Sequence, residues 1–201
     1  MHLMTRRRVL AASVAAVATV ALAVRLRKFV APGRRPGAAE HRPEAVDQLR
    51  DLTDALQPLD PPKPLPPLHF IAADGRSTTL ADFVGKGVLL NLWATWCVPC
   101  DAELPSLDVL AGSLAAEGIV VLPLSSDRGG APVVERYYKA HGITHLGIWT
   151  DPEGAALHAL GARGIPTTLI LDRQGRERAR LEGGIDWAGD DAAGAVRKLT
   201  G

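Results

Sequence analysis

The chain has 201 residues, 47% of them hydrophobic, which suits one domain of ordinary size with appendages. Its formal net charge of +1 conceals a segregation: residues 1–40 hold eight of the 23 bases and one of the 22 acids, leaving fifteen bases against twenty-one acids beyond them. An acidic globular part with no basic stripe argues against a nucleic-acid partner. The only two cysteines, Cys97 and Cys100, cannot form a stapling framework and make at most one redox or metal pair.

The run Val9–Val24 carries no charge and is flanked by Arg6, Arg7 and Arg8 and by Arg25, Arg27 and Lys28. As a helix, sixteen residues would span about 24 Å, slightly short of the ~30 Å hydrocarbon core, and snorkelling arginines close the gap. Residues 1–30 therefore read as a signal anchor. Ala21-Leu22-Ala23 offers a cleavage site, but Arg25 and Arg27 behind it disfavour passage, so the uncleaved form is preferred. Thr5–Leu10 also resembles a twin-arginine export motif, although a plain basic leader explains it as well. Bases on both sides leave orientation undecided.

Residues 31–67 read as a linker. APGRRPG (31–37) is a breaker, and Pro43–Leu56 has a proline start, early acids and apolar positions at Val46, Leu49, Leu52 and Leu56, which predicts a short amphipathic helix. Pro58–Pro67 holds six prolines and predicts a semi-rigid extended arm of roughly 30 Å that stands the domain off the bilayer.

Residues 68–201 alternate strands and helices. A hairpin is expected over Leu68–Leu80 about the Asp74-Gly75 turn, then a short helical turn at Leu80–Phe83. Strand Val88–Trp93 precedes a helix from Val98 to about Ala116, stopped by Gly118. Strand Ile119–Leu124, helix Ala131–Ala140, a strand near Leu146–Trp149 and a helix over Glu153–Leu160 follow. Strands Thr167–Leu171 and Arg176–Leu181 flank a turn at Asp172–Gly175, and a helix over Asp190–Leu199 closes the chain. This order predicts an α/β fold with a mixed sheet flanked by helices.

Asn91–Cys100 (NLWATWCVPC) carries the chemistry. An apolar strand delivers Cys97 to a helix start, where free N–H groups and the dipole favour a thiolate. That is an arrangement for thiol–disulfide exchange, with Cys97 as nucleophile and Cys100 resolving the mixed disulfide. A static disulfide is the bland alternative, but so short a loop stabilises little. No metal site is expected, because zinc wants about four ligands and no second Cys/His pair is present. Copper(I) accepts two thiolates, so a copper-binding chaperone stays open, although no His or Met lies within ten residues of the pair. His69, His141, His145 and His158 read as scattered surface residues, Trp93 as core and Trp96 as a contact surface beside the thiol.

Trp96-Cys97-Val98-Pro99-Cys100 after a strand, with Pro105 beyond, resembles the thioredoxin superfamily. The leading hairpin, Asn91, Glu103 and Gly164-Ile165-Pro166-Thr167-Thr168 narrow the resemblance to its membrane-anchored TlpA/ResA/CcmG group, over about residues 68–201. The segment Ile185-Asp186-Trp187-Ala188 leading into a helix fits the TlpA-like branch. The resemblance implies a thioredoxin-like fold with an N-terminal hairpin and a strand–helix insert. It also implies an inner-membrane, single-pass protein whose periplasmic domain reduces partner disulfides with no cofactor beyond the Cys97–Cys100 pair.

Electrons would come from a transmembrane thiol reductase. The implied clients are copper chaperones and the copper-binding subunit of cytochrome oxidase (preferred), or apocytochrome c, which ResA- and CcmG-like relatives reduce. By the same resemblance Glu103 is a buried acid that moves a proton at Cys100. Pro166 is a cis-proline facing the disulfide, and Ile165 offers backbone to the client beside Trp96, Val98 and Pro99. Asn91 stands where thioredoxin has a buried aspartate. Asp101 departs from the basic residue common after the second cysteine. Asp101 and Glu103 together put negative charge behind the pair, which disfavours a thiolate and predicts a reducing potential.

Overall fold

The computed structural model of the protein describes residues 56–201. The expected anchor, the breaker at 31–37 and the amphipathic helix, Leu56 apart, lie outside the described residues. Within them an eight-stranded mixed sheet runs β1(Gln57–Lys63)–β8(Glu177–Glu182)–β7(Thr167–Leu171)–β4(Gly87–Trp93)–β5(Ile119–Ser125)–β6(Trp149–Thr150)–β2(His69–Ala72)–β3(Ser77–Thr79). β4 pairs parallel with β5 and β5 with β6, and every other neighbour is antiparallel. Four helices complete it: α1 (Val98–Leu114), α2 (Ala131–His141), α3 (Ala155–Ala159) and α4 (Asp190–Thr200).

All seven residues of β4 are buried, which is why its sequence is a continuous apolar run rather than an alternating one. Leu89 and Trp93 pack with Leu104, Leu107 and Leu110 of α1, Val134 and Tyr138 of α2 and Val196 of α4. Val88, Leu90 and Leu92 point the other way, into a core with Phe70, Phe83, Ala156 and Leu160. Asn91 shares the α1 side with Leu89 and Trp93 by the two-residue period, so an amide sits in the middle of the larger core. Gly87 lets α4 close on β4, since a Cβ there would lie 2.4 Å from that of Thr200.

Two expectations change. The proline-rich stretch is not a free arm from Pro58 onward: Gln57–Lys63 forms β1, antiparallel to β8. Prolines are tolerated there because the strand lies at the sheet edge, where only one side must bond. The insert strand is also shorter than expected, Trp149–Thr150 alone, with α3 reduced to Ala155–Ala159. α1 ends at Leu114, and a 3₁₀ turn over Ala115–Glu117 leads to Gly118 at φ 70°.

Candidate active site

β4 ends at Trp93, four residues before Cys97, and the intervening loop is pinned from β5. Asp127 accepts the Thr95 N–H (2.9 Å), the Thr95 hydroxyl (2.7 Å) and the Ser125 hydroxyl (2.7 Å). Cys97 then caps α1, and its sulfur accepts the N–H of Cys100 at 3.3 Å. That contact is one of the free donors at a helix start and favours negative charge on Cys97. Pro99 in the first turn sacrifices no helical bond. Cys97 and Cys100 are disulfide-bonded, with Cα atoms 5.2 Å apart.

The thiol positions are enclosed. Cys97 is 5% exposed and Cys100 fully buried, so the exposed surface belongs to the flanking residues. Trp96 is 69% and Val98 70% exposed, Pro99 is exposed, and Ile165 is half-buried. The Ile165–Pro166 peptide bond is cis, as expected, and Pro166 is buried at the start of β7. Ile165 lines a small cleft with Trp93, Ser126, Asp151 and Leu157. Trp93 is core, stacked on Tyr138 with centroids 5.9 Å apart.

One turn after Cys100, Glu103 is completely buried. Its Oε1 accepts the Asn91 side-chain amide at 3.0 Å and the Trp187 indole N–H at 2.7 Å. Asn91 also donates to the Thr168 hydroxyl at 2.9 Å, across the β4–β7 pairing of Asn91 with Thr168. Burial pushes the Glu103 carboxyl up to about 8, against the pull of the Trp187 and Asn91 hydrogen bonds. Glu103 Oε2 and Asn91 Oδ1 have no hydrogen-bond partner among the described residues.

This revises the electrostatics. Glu103 is predominantly neutral at pH 7, which leaves Asp101 as the acid placed behind the pair. Its carboxylate is engaged in turn: the Tyr137 hydroxyl donates to it, and His141 Nε2 lies 3.4 Å away. His141 is exposed, as expected, yet engaged: its ring stacks on Tyr137 at 3.9 Å, and Tyr137 packs on Trp93. His145 likewise meets α1, with Nδ1 3.0 Å from Asp108. The sequence alone does not mark Tyr137, Asp127 or the indole of Trp187 as site residues. Contacts 32 to 84 residues apart leave no local pattern to find them by.

A dithiol at a helix start with a buried acid one turn behind can take up and release two electrons and move a proton without bulk water. Comparisons with known proteins agree. The AhpC/TSA family profile matches residues 62–179. The thiol-disulfide oxidoreductase ResA of Geobacillus thermodenitrificans is 34% identical over 118 residues, which cover 57% of this chain and 66% of that protein. The thiol:disulfide interchange protein DsbE of Pseudomonas aeruginosa is 32% identical over 126 residues, covering 62% and 67%. Among solved structures, the pneumococcal exposed lipoprotein thioredoxin Etrx1 of Streptococcus pneumoniae superposes with a TM-score of 0.56 at 28% identity, over 67% of this chain and all of that one. The chain thus spans just under two thirds of the ResA relative's length. With its cysteine pair at a strand–helix join in a thioredoxin-like sheet, the chain belongs to the AhpC/TSA family and is similar to proteins named ResA and DsbE.

Proposed function

We propose that the protein is a thiol-disulfide oxidoreductase that reduces disulfides of partner proteins in the periplasm, anchored through Val9–Val24. The observation that carries this reading is the Cys97–Cys100 pair with buried Glu103 one turn behind it. In the reduced chain, the Cys97 thiolate attacks a partner disulfide, forms a mixed disulfide and expels one partner thiolate, which takes a proton. Cys100 then passes its proton to Glu103, in the ionised fraction that a carboxyl raised to about 8 keeps at neutral pH, and attacks Cys97 Sγ. The second partner thiolate leaves, and two electrons have moved to the partner. Exposed Trp96, Val98 and Pro99 form the rim the partner meets, beside Ile165. Return to the dithiol needs a donor, for which a transmembrane thiol reductase is suited, since the periplasm is oxidising. The exchange itself needs no further cofactor.

For the client we retain copper-site proteins of cytochrome oxidase assembly, on the resemblance of NLWATWCVPC and GIPTT to the TlpA-like branch. Apocytochrome c is the second reading, favoured by the ResA relatives. A Cys100→Ser variant expressed in its own membranes stalls the mixed disulfide at Cys97. Recovery of apocytochrome c alone would replace the copper clients, and tight stoichiometric copper binding without disulfide turnover would replace both. Equilibration with glutathione is expected to give a potential nearer thioredoxin's (about −270 mV) than that of protein disulfide isomerase (about −180 mV).

A further inference from the structure

We propose that Trp187 is a positioning residue of the exchange site: its indole N–H fixes Glu103 Oε1 and so leaves Oε2 as the oxygen that carries the exchanged proton. The inference rests on the reading of Glu103 as the proton-moving acid. Trp187 lies in the segment ahead of α4, 84 residues from Glu103, and is fully buried. Its placement is doubly secured. The indole donates to Oε1 at 2.7 Å, while its backbone N–H donates to Ser106 Oγ at 3.0 Å, and Ser106 in turn donates to the Glu103 carbonyl at 2.7 Å. Asn91 donates to the same Oε1, so both fixed donors converge on one oxygen and the other has no partner among the described residues. A carboxylic acid has one proton and two oxygens. With Oε1 occupied by two donors, the proton belongs on Oε2.

Both donors also favour the ionised form, which lets a carboxyl this buried lose its proton near neutral pH at all. The groups reaching Glu103 from the sheet and from the segment before α4 are Asn91, backed by Thr168, and Trp187, none of them charged. On its own helix the nearest titratable groups are Cys97 and Cys100, when reduced, with Asp101 and Asp108 on neighbouring turns. An upward shift on loss of the indole is therefore assignable to the lost donor.

The test is a titration of the Glu103 side-chain carboxyl carbon by NMR in the full oxidised chain. Trp187→Phe keeps the ring and removes the N–H. The midpoint is expected to rise by about one to two pH units, since a hydrogen bond to a charged group carries that much. Ser106→Ala loosens the backbone tie yet keeps the indole donor, and should leave the midpoint in place. An unchanged midpoint in Trp187→Phe, or an equal shift in Ser106→Ala, overturns the proposal. If the Phe variant does not fold, the wild-type chain decides. The Trp187 indole resonance should move through pH with the Glu103 midpoint, and an indole that ignores that titration overturns the proposal. Wild-type exchange rates in Glu103→Gln would instead sink the reading of Glu103 as the proton-moving acid, and leave the measured coupling standing.

Discussion

The exchange site has a rim and a floor, and they are built on opposite terms. The rim is Trp96, Val98 and Pro99, apolar side chains left in water on either side of the Cys97 cap of α1. The floor is Asn91, Glu103, Thr168 and Trp187, polar side chains placed in the dry core between the sheet and α1. Each inverts the usual partition of residues, and each inversion needs a reason. Under the proposed function the reason on the rim is a partner: exposed apolar area is stable only as long as it is small, and becomes useful when covered. On the floor the reason is a proton. An acid raised to about 8 holds its proton at neutral pH and can still release it, which no surface glutamate does. On that reading, whom the protein meets and how it finishes the reaction are set by separate residues, and substitutions should divide the same way.

The largest effect is expected where rim and floor meet. Cys97→Ser should abolish turnover of a model disulfide substrate such as insulin, whereas Cys100→Ser should still attack and accumulate the mixed disulfide, read on non-reducing gels. Equal, complete inactivity of the two would deny Cys97 its separate role. Next comes Glu103→Gln, which keeps an acceptor for Asn91 and Trp187 but cannot take a proton. Resolution of the mixed disulfide should slow by about a hundredfold or more, with initial attack little changed.

The same substitution tests the floor through stability. Below about pH 4.5 the glutamate is protonated folded and unfolded alike. Between 4.5 and about 8 only the unfolded chain ionises, so the wild type loses stability as pH rises, and above 8 the loss is complete. Glu103→Gln should therefore be more stable than wild type at pH 8.5 by on the order of a few kcal/mol, and gain little at pH 4, as followed by denaturant unfolding. A gain independent of pH would mean the carboxyl is not held neutral.

Asp127→Ala tests whether the rim depends on a support of its own. It strips the acceptor from Thr95 and Ser125, and should cost roughly 2–3 kcal/mol while leaving the Glu103 titration where it was. The smallest effect belongs to the rim. Trp96→Ala should raise KM for a protein disulfide by about tenfold, with resolution and the reaction with small disulfides unchanged. A loss of resolution in that variant would merge the two regions into one.

Much of the rim could be read directly from the chain, because its logic is local. Val88–Trp93, Cys97 and Pro99 announce a strand meeting a helix within a dozen residues, and strands Ile119–Leu124 and Thr167–Leu171 carry their own apolar runs. The floor was legible only in part. Asn91 and Glu103 drew notice through resemblance, but burial of an acid has no signature in periodicity. Its Trp187 arrives from the other end of the chain. The prolines of β1 misled for a related reason: propensity describes a strand bonded on both sides, and an edge strand needs one. The contacts of Tyr137 and His141 leave no local pattern, because their partner Asp101 lies 36 and 40 residues away on another helix.

Those edge prolines have a consequence for crowding. An open sheet offers its two outermost strands to any neighbouring copy, and here neither offer is good. β1 carries Pro58, Pro61 and Pro62, three of its seven residues, with no N–H to give at those positions. β3, at the far edge, is three residues long. Sheet-to-sheet stacking between copies is thereby discouraged at both ends. Copies of the protein at high local concentration then gain little from pairing strand to strand.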